Sequence, residues 1–288
     1  MTLKNGDFIN KILHGDCLDI MQRMEENSVD MILTSPPYDN LRTYKGFVFP
    51  FKSIARQLYR VVKNGGIVVW VVNDATIEGT ETGTSFTQAL FFKEIGFNLH
   101  DTMIFRKKNP IPQIYRKRNN NEFEYMFVFS KGAVETHNPI MVDCLHAGLE
   151  LNGTTYKNYS KAEQKREKMA KPVKAQKIKG NIWEYVVGKN LEDQEAKGHP
   201  APFPCDLARD HILSWSNVGD VVLDPMSGSG TTCKVAKQLG RNYIGIDISE
   251  EYCELARNRI LIPEGIPSMK KKNALNKVQE MQMSIVDV

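Results

Sequence analysis

Two short segments of this 288-residue chain combine residue types at spacings that could do chemistry. The first is Asp224-Pro225-Met226-Ser227-Gly228-Ser229-Gly230-Thr231-Thr232, which follows an apolar run from Asp220 to Asp224 and precedes Cys233, Val235, Ala236 and Leu239 at helical spacing. Glycines in such a strand-to-helix turn let the backbone approach a ligand closely. The turn lacks Gly-x-Gly-x-x-Gly and has no Lys before Thr231, so it is neither a dinucleotide fingerprint nor a phosphate loop. Asp224 would repel a pyrophosphate and attract a cationic amino-acid group. Asp247 lies near the end of a second apolar run, Asn242 to Ile248, roughly 20 residues beyond the turn, where a carboxylate can accept hydrogen bonds from ribose hydroxyls.

The second segment, Ser35-Pro36-Pro37-Tyr38, leaves the apolar run Val29-Asp30-Met31-Ile32-Leu33 through Thr34. Consecutive prolines fix φ and remove two backbone donors, so the segment is stiff and its carbonyls are free to accept hydrogen bonds. Ser35 adds a hydroxyl acceptor and Tyr38 an aromatic face. That set suits an amino group on a flat ring, whose delocalised lone pair attacks poorly until both N–H groups are held and the nitrogen pyramidalises. Acceptors fixed in advance favour charge that develops only in the transition state. Pro-Pro-Tyr is also a docking motif in exposed proline-rich segments, but the strand running into it argues for an ordered loop.

Strands and helices must position these segments. Ile12 to Cys17 reads as a short strand ending at Gly15-Asp16, followed by an amphipathic helix through Met24. Gly65-Gly66 reads as a helix end that starts Ile67 to Val72, a run too continuously apolar for anything but a buried parallel strand. Asn73 and Asp74 at its end either line the same cleft or make an ordinary turn. Leu99 to Phe105 and Phe123 to Phe129 read as another strand pair, flanking the basic stretches Arg106 to Pro112 and Arg116-Lys117-Arg118. Gly240 is placed to stop the helix after the glycine-rich turn. Alternating strands and helices define an α/β class, a doubly wound, Rossmann-like sheet.

The formal net charge of +4 is modest but unevenly spread, with nine basic residues from Lys157 to Lys179 against Glu163 and Glu167. Ser160 and Glu163 form a capping box that predicts a helix through about Met169, discouraged from continuing by Pro172. Such a segment suits phosphate contact or a solvated face. Five scattered cysteines, Cys17, Cys144, Cys205, Cys233 and Cys253, give neither a metal-ligand pair nor a disulfide framework, and point to a reducing cytoplasm. The beginning lacks a signal-peptide core, and no run approaches the length of a membrane span. A chain of this length with 41% hydrophobic residues can bury one large α/β core plus a smaller insertion.

With the Ser35-Pro36-Pro37-Tyr38 loop first and the Asp224 turn last, the chain resembles the permuted, β-group DNA amino-methyltransferases over roughly residues 12 to 260. The resemblance implies a circularly permuted class I methyltransferase sheet, S-adenosylmethionine as cofactor and double-stranded DNA as substrate. A methyl group would pass to the exocyclic amine of a flipped base. It assigns Ser35, Pro36, Pro37 and Tyr38 to catalysis. Asp16, His199, Pro200, Phe203, Asp224, Met226, Gly228, Gly230, Thr231 and Asp247 fall to the cofactor, and Arg106, Lys107, Arg116, Lys165, Arg166 and Lys168 to DNA. Met226 stands where the family usually has Phe, and supplies apolar contact without aromatic stacking. The expected organisation is a catalytic half over 1–132, a target-recognition insertion over 133–198, a cofactor half over 199–262 and a polar tail over 263–288.

Ser at position 35 favours N4 of cytosine over N6 of adenine within that family. A catalytically silent DNA-recognition subunit is the reading of a different class, and the intact loop and turn argue against it. Cys205 follows Pro204 as a carbon-attacking nucleophile would, but it precedes the cofactor turn, whereas carbon-methylating relatives carry theirs after it. No metal and no membrane enter this reading, while a homodimer and a cognate restriction endonuclease are compatible with it as partners.

Overall fold

A computed structural model of the chain describes residues 7–37, 49–110, 112, 117–148, 153–156, 166–169, 173–187 and 204–261. The first half contains β1 (Lys11–His14), α1 (Cys17–Arg23), β2 (Val29–Thr34), α2 (Phe51–Val61), β3 (Val62–Val72), β4 (Thr76–Ile77), β5 (Thr80–Glu81), α3 (Thr84–Glu94), β6 (Asn98–Lys107) and β7 (Phe123–Ser130). The second contains β8 (Met141–Asp143), β9 (Gly153–Tyr156), β10 (Arg166–Met169), β11 (Gln176–Ile178), β12 (Ile182–Tyr185), α4 (Cys205–Trp215), β13 (Val221–Asp224), α5 (Thr231–Gln238), β14 (Asn242–Asp247) and α6 (Glu250–Leu261).

Eight of the strands form one sheet in the order β1-β14-β13-β2-β3-β7-β6-β12. Only β7 runs against its neighbours; the other pairings are parallel. This is a mostly parallel, doubly wound α/β sheet, and the buried strand expected from Ile67 to Val72 is flanked on one side by a parallel and on the other by an antiparallel partner. Alternate residues of the central strands serve opposite faces, which is why their sequences are apolar throughout. Ile32, Val68, Trp70, Leu223 and Ile244 join Met21, Met24, Ile54, Leu58 and Phe92 in one apolar cluster with α1, α2 and α3. The helices α4, α5 and α6 pack against one another on the other face, with Leu207, Ile212, Val235 and Ala256 fully buried. No described helix is long and apolar enough to cross a membrane.

The two sequence halves meet at the β1–β14, β6–β12 and β2–β13 pairings, and at β2–β13, beneath the loop and the turn, the backbone register covers only Val222↔Met31 and Leu223↔Ile32. Side chains lengthen the seam. At one end Asp30 accepts the Val221 N–H at 2.8 Å through Oδ2 and Lys63 Nζ at 2.5 Å through Oδ1.

Two expectations change. Gly65 and Gly66 do not end a helix: α2 stops at Val61, and both glycines lie inside β3. The reason is close approach, since Gly65 has φ +80° and a Cβ on Gly66 would sit 2.7 Å from the Asp30 carbonyl oxygen. The helix expected through Met169 is instead a strand at its C-terminal end, with Arg166–Met169 pairing antiparallel to Gly153–Tyr156. Pairing with a Thr-Thr-Tyr partner of high β propensity overrides the helical preference of Arg, Glu, Lys and Met; Ser160, Glu163 and Lys165 lie outside the described residues. A compact unit spans Pro139–Gly180, inside the 133–198 expected for the insertion. It contains the β8/β11 and β9/β10 pairs, whereas β12 joins the main sheet parallel to β6 because Trp183 and Tyr185 alternate inward. Residues 188–198 and the 263–288 tail lie outside the described residues.

Both margins of the insertion are held within the main unit. Asn138 Nδ2 donates to the carbonyls of Leu213 and Ser216, each at 3.2 Å, while its N–H reaches the Ser214 carbonyl at 2.8 Å. Asn181 accepts the Ile104 N–H at its carbonyl at 2.8 Å and donates through Nδ2 to Asp101 and to the Thr102 carbonyl, each at 3.3 Å.

Replacing Asp30 by Ala removes the acceptor of the Val221 N–H and the partner of Lys63. The variant is expected to lose about 1–3 kcal/mol of stability. Urea denaturation should register this as a lower midpoint with an unchanged slope.

Candidate active site and cofactor cradle

The glycine-rich turn leaves the C-terminal end of β13 and enters α5 through Gly230, whose φ of +79° makes it a left-handed N-cap without a side chain. A Cβ on Gly230 would lie 2.6 Å from Ala256 Cβ, so glycine is also what lets α6 pack against the turn. Arg259 of α6, 1% exposed, donates to the Ser229 carbonyl and to Thr231 Oγ1. Sequence reading missed this brace. Its signal is an arginine sharing the buried face of Cys253, Ala256 and Ile260.

Asp247 ends β14 beside the turn. Its Oδ2 accepts the Gly228 N–H at 2.8 Å and its Oδ1 the Ser249 N–H at 2.9 Å. Each carboxylate oxygen has a second lone pair, which leaves acceptor capacity for a hydroxyl. Burial raises the Asp247 carboxyl above the ordinary range, against the lowering effect of those two N–H groups. The uncapped N-terminus of α5 favours a negatively charged group. Ser227 Oγ is buried with no hydrogen-bond partner among the described residues. A carboxylate with spare acceptor capacity, open helix N–H groups and an unsatisfied hydroxyl fit a ligand carrying ribose hydroxyls and an amino-acid end.

Asp224 is 1% exposed and its carboxylate is held by neighbouring donors. Its Oδ1 accepts Thr34 Oγ1 at 2.8 Å and the Met226 N–H at 3.2 Å. The single Thr232 O–H faces two acceptors, the Asp224 carboxylate and the Leu33 carbonyl at 3.2 Å, and donates to one of them at a time. Burial pushes the Asp224 carboxyl up to about 6, with the Thr34, Thr232 and Met226 donors opposing it. Met226 packs half-buried against the apolar cluster.

Ser35, Pro36 and Pro37 leave the C-terminal end of β2, the strand beside β13, so the structure brings the loop and the turn to one sheet edge. Asp16 lies at the same edge, where the neighbouring Gly15 N–H donates to the Asp247 carbonyl at 2.9 Å. Its carboxylate caps α1 by accepting the Leu18 N–H at 2.7 Å. Asn73 and Asp74 are taken up structurally: Asp74 accepts the Ser85 N–H at 2.8 Å and so caps α3, and Asn73 Nδ2 donates to the Phe123 carbonyl at 3.1 Å. Tyr38, His199, Pro200 and Phe203 lie outside the described residues.

The proposed DNA contacts divide as well. Arg106 pairs with Glu184 at 2.9 Å, and Lys107 with Glu124 at 2.8 Å in a largely buried ion pair, so both charges are already balanced by carboxylates. Arg166 and Lys168 stand two positions apart on β10. Arg116 and Lys165 lie outside the described residues. Among the described residues no cluster of His, Cys, Asp and Glu is arranged to hold a metal ion. Burial pushes the Cys17 thiol up to about 12 and the Cys253 thiol to about 11, keeping both protonated.

Residues 29–258 match a family model described as DNA methylase, for N6/N4 methyltransferases. The chain is 48% identical over 245 residues to the orphan methyltransferase M.BamHII of Bacillus amyloliquefaciens, covering 82% of this chain and 92% of that protein. It is 27% identical to the DNA adenine methyltransferase YhdJ of Escherichia coli (strain K12), covering 98% and 95%. Among solved structures, the fold is similar to the PvuII DNA methyltransferase (cytosine-N4-specific), with a TM-score of 0.66 at 18% identity and coverage of 93% and 91%. It is also similar to M1.HpyAVI in complex with SAM, with a TM-score of 0.54 at 23% identity and coverage of 86% and 98%.

Asp247→Ala should weaken S-adenosylmethionine binding by about tenfold or more, since it removes the anchor of Gly228 together with a hydroxyl acceptor. Calorimetry on the folded variant is the check, and unchanged affinity would remove Asp247 from the cradle.

Proposed function

Because the chain belongs to the N6/N4 DNA methylase family, we propose that it is a permuted, β-group amino-methyltransferase acting on N4 of cytosine in double-stranded DNA. The observation that carries this reading is the origin of Ser35-Pro36 at the end of β2, one strand from the cofactor turn and tied to it by the Thr34–Asp224 bond of 2.8 Å. S-adenosylmethionine, the family's cofactor, supplies an electrophilic methyl group. The Ser35 hydroxyl and the Pro36 carbonyl accept the two N–H groups of the target amine and free its lone pair for attack. Prolines hold these acceptors in place before reaction, so their effect is spent on the transition state. Tyr38 stacks on a base turned out of the duplex, since the amine cannot be reached within it. Direct attack needs no enzyme nucleophile, and Cys205 is left with a place in the first turn of α4.

The inserted unit Pro139–Gly180 is the target-recognition element in this reading. Its lysines and arginines neutralise phosphates, and the Thr154, Thr155 and Tyr156 segment supplies side-chain types suited to base edges. A second reading, N6 of adenine, is favoured by the adenine-specific name of the Escherichia coli relative, which matches over nearly the whole chain. Ser rather than Asp at position 35 supports cytosine.

Mass spectrometry of nucleosides from DNA methylated by the enzyme separates the products by comparison with standards. The expected product is N4-methylcytosine; N6-methyladenine would replace the base assignment, and 5-methylcytosine would overturn the amine mechanism. Ser35→Ala should lower turnover by about 100-fold with cofactor affinity nearly intact, because the lost acceptor acts in the transition state. Cys205→Ser should remain active.

A further inference from the structure

We infer that Thr34 is a positioning residue, whose hydroxyl locks the acceptor loop to the carboxylate that organises the cofactor turn. The inference rests on the reading that Ser35 and Pro36 hold the target amine. Thr34 is fully buried, ends β2 and immediately precedes Ser35. Its Oγ1 donates at 2.8 Å to Asp224 Oδ1 across 190 residues of sequence. The same oxygen accepts the Met226 N–H, the first amide inside the glycine-rich turn after Pro225. One carboxylate oxygen therefore fixes both the root of the catalytic loop and the start of the cofactor cradle. The Thr232 hydroxyl at the start of α5 adds a second link, its one O–H shared between Asp224 and the Leu33 carbonyl at 3.2 Å.

A hydroxyl in this place does more than fill space. Valine has the same shape but no donor, and would leave a buried carboxylate short of a partner. The groups facing Asp224 are Thr34 from β2, Thr232 and the Cys233 thiol from α5, the Met226 N–H of its own turn, and Asp247 from β14. Among the described residues the interactions that oppose the burial of Asp224 are hydrogen bonds rather than a cation. Losing the Thr34 donor must raise the pH at which Asp224 takes up a proton and the turn loses its ionised anchor. Displacement of Ser35 by a fraction of an ångström is enough to slow a reaction that depends on alignment.

The test compares wild type with Thr34→Val, Thr34→Ala and Thr34→Ser, all checked for folding by circular dichroism. S-adenosylmethionine affinity is measured by calorimetry from pH 5 to pH 8, and methyl transfer to DNA in single-turnover experiments. At pH 8, Thr34→Val should bind the cofactor close to wild-type strength but transfer methyl about tenfold more slowly. Its loss of cofactor affinity on acidification should begin at a higher pH than in wild type. Thr34→Ala, which lacks the same hydroxyl, should reproduce both changes, and Thr34→Ser should restore both. A wild-type rate in Thr34→Val, an unmoved acid profile, or failure of serine to rescue would each overturn the inference while leaving the proposed function standing. A wild-type enzyme that transfers no methyl group to a DNA amine would overturn both.

Discussion

The short seam between β2 and β13 is the constraint on which the rest depends. Only two backbone pairs are in register there, against four where β1 meets β14, yet this is the pairing from which both the Ser35 loop and the glycine-rich turn emerge. The shortage is made up by side chains at both ends of the seam. Asp30 holds the Val221 N–H below, and Thr34 holds Asp224 above. Without the upper bond the Ser35 loop and the glycine-rich turn would still emerge from adjacent strands, but with one fewer link between them.

The seam is secured by a feature that is unfavourable in isolation. Asp224 is almost wholly buried and its carboxyl is raised to about 6 by that burial, so keeping it ionised at neutral pH opposes folding. The compensation is geometric rather than ionic. Its acceptors are met by Thr34, Thr232 and the Met226 N–H, which belong to β2, α5 and the turn between β13 and α5. A salt bridge would satisfy the charge from one direction; neutral donors from separate elements, with the Thr232 hydroxyl shared with the Leu33 carbonyl, satisfy it while orienting those elements. Arg259 performs the complementary task on the far side of the turn, where its buried guanidinium holds the Ser229 carbonyl.

Most of the sheet was legible in the sequence because its strands are buried on both faces and read as continuous apolar runs, as with Ile67 to Val72 and Val221 to Leu223. The loop and the turn were legible because prolines and glycines leave little conformational choice. What local pattern hid was pairing. Arg166–Met169 has the composition of a helix and becomes a strand through a partner ten and more residues earlier, and Gly65-Gly66 punctuates like a helix stop but serves close approach between strands. The bond that holds Asp224 was hidden as well, since local pattern does not show that Thr34 lies beside it. Likewise Arg106 and Lys107 look like free cations until Glu184 and Glu124 are brought beside them.

The two asparagines at the margins of the insertion bear on how such a protein can change. Asn138 is tied to the end of α4 and Asn181 to β6, each through bonds that involve no residue between them. The chain between Pro139 and Gly180 is therefore a cassette whose exit and re-entry are held by the scaffold itself. Its length and sequence can drift, or be exchanged wholesale, without disturbing the register of β12 on β6 or the seam that aligns the chemistry. What varies inside the cassette is thereby uncoupled from what must stay aligned outside it.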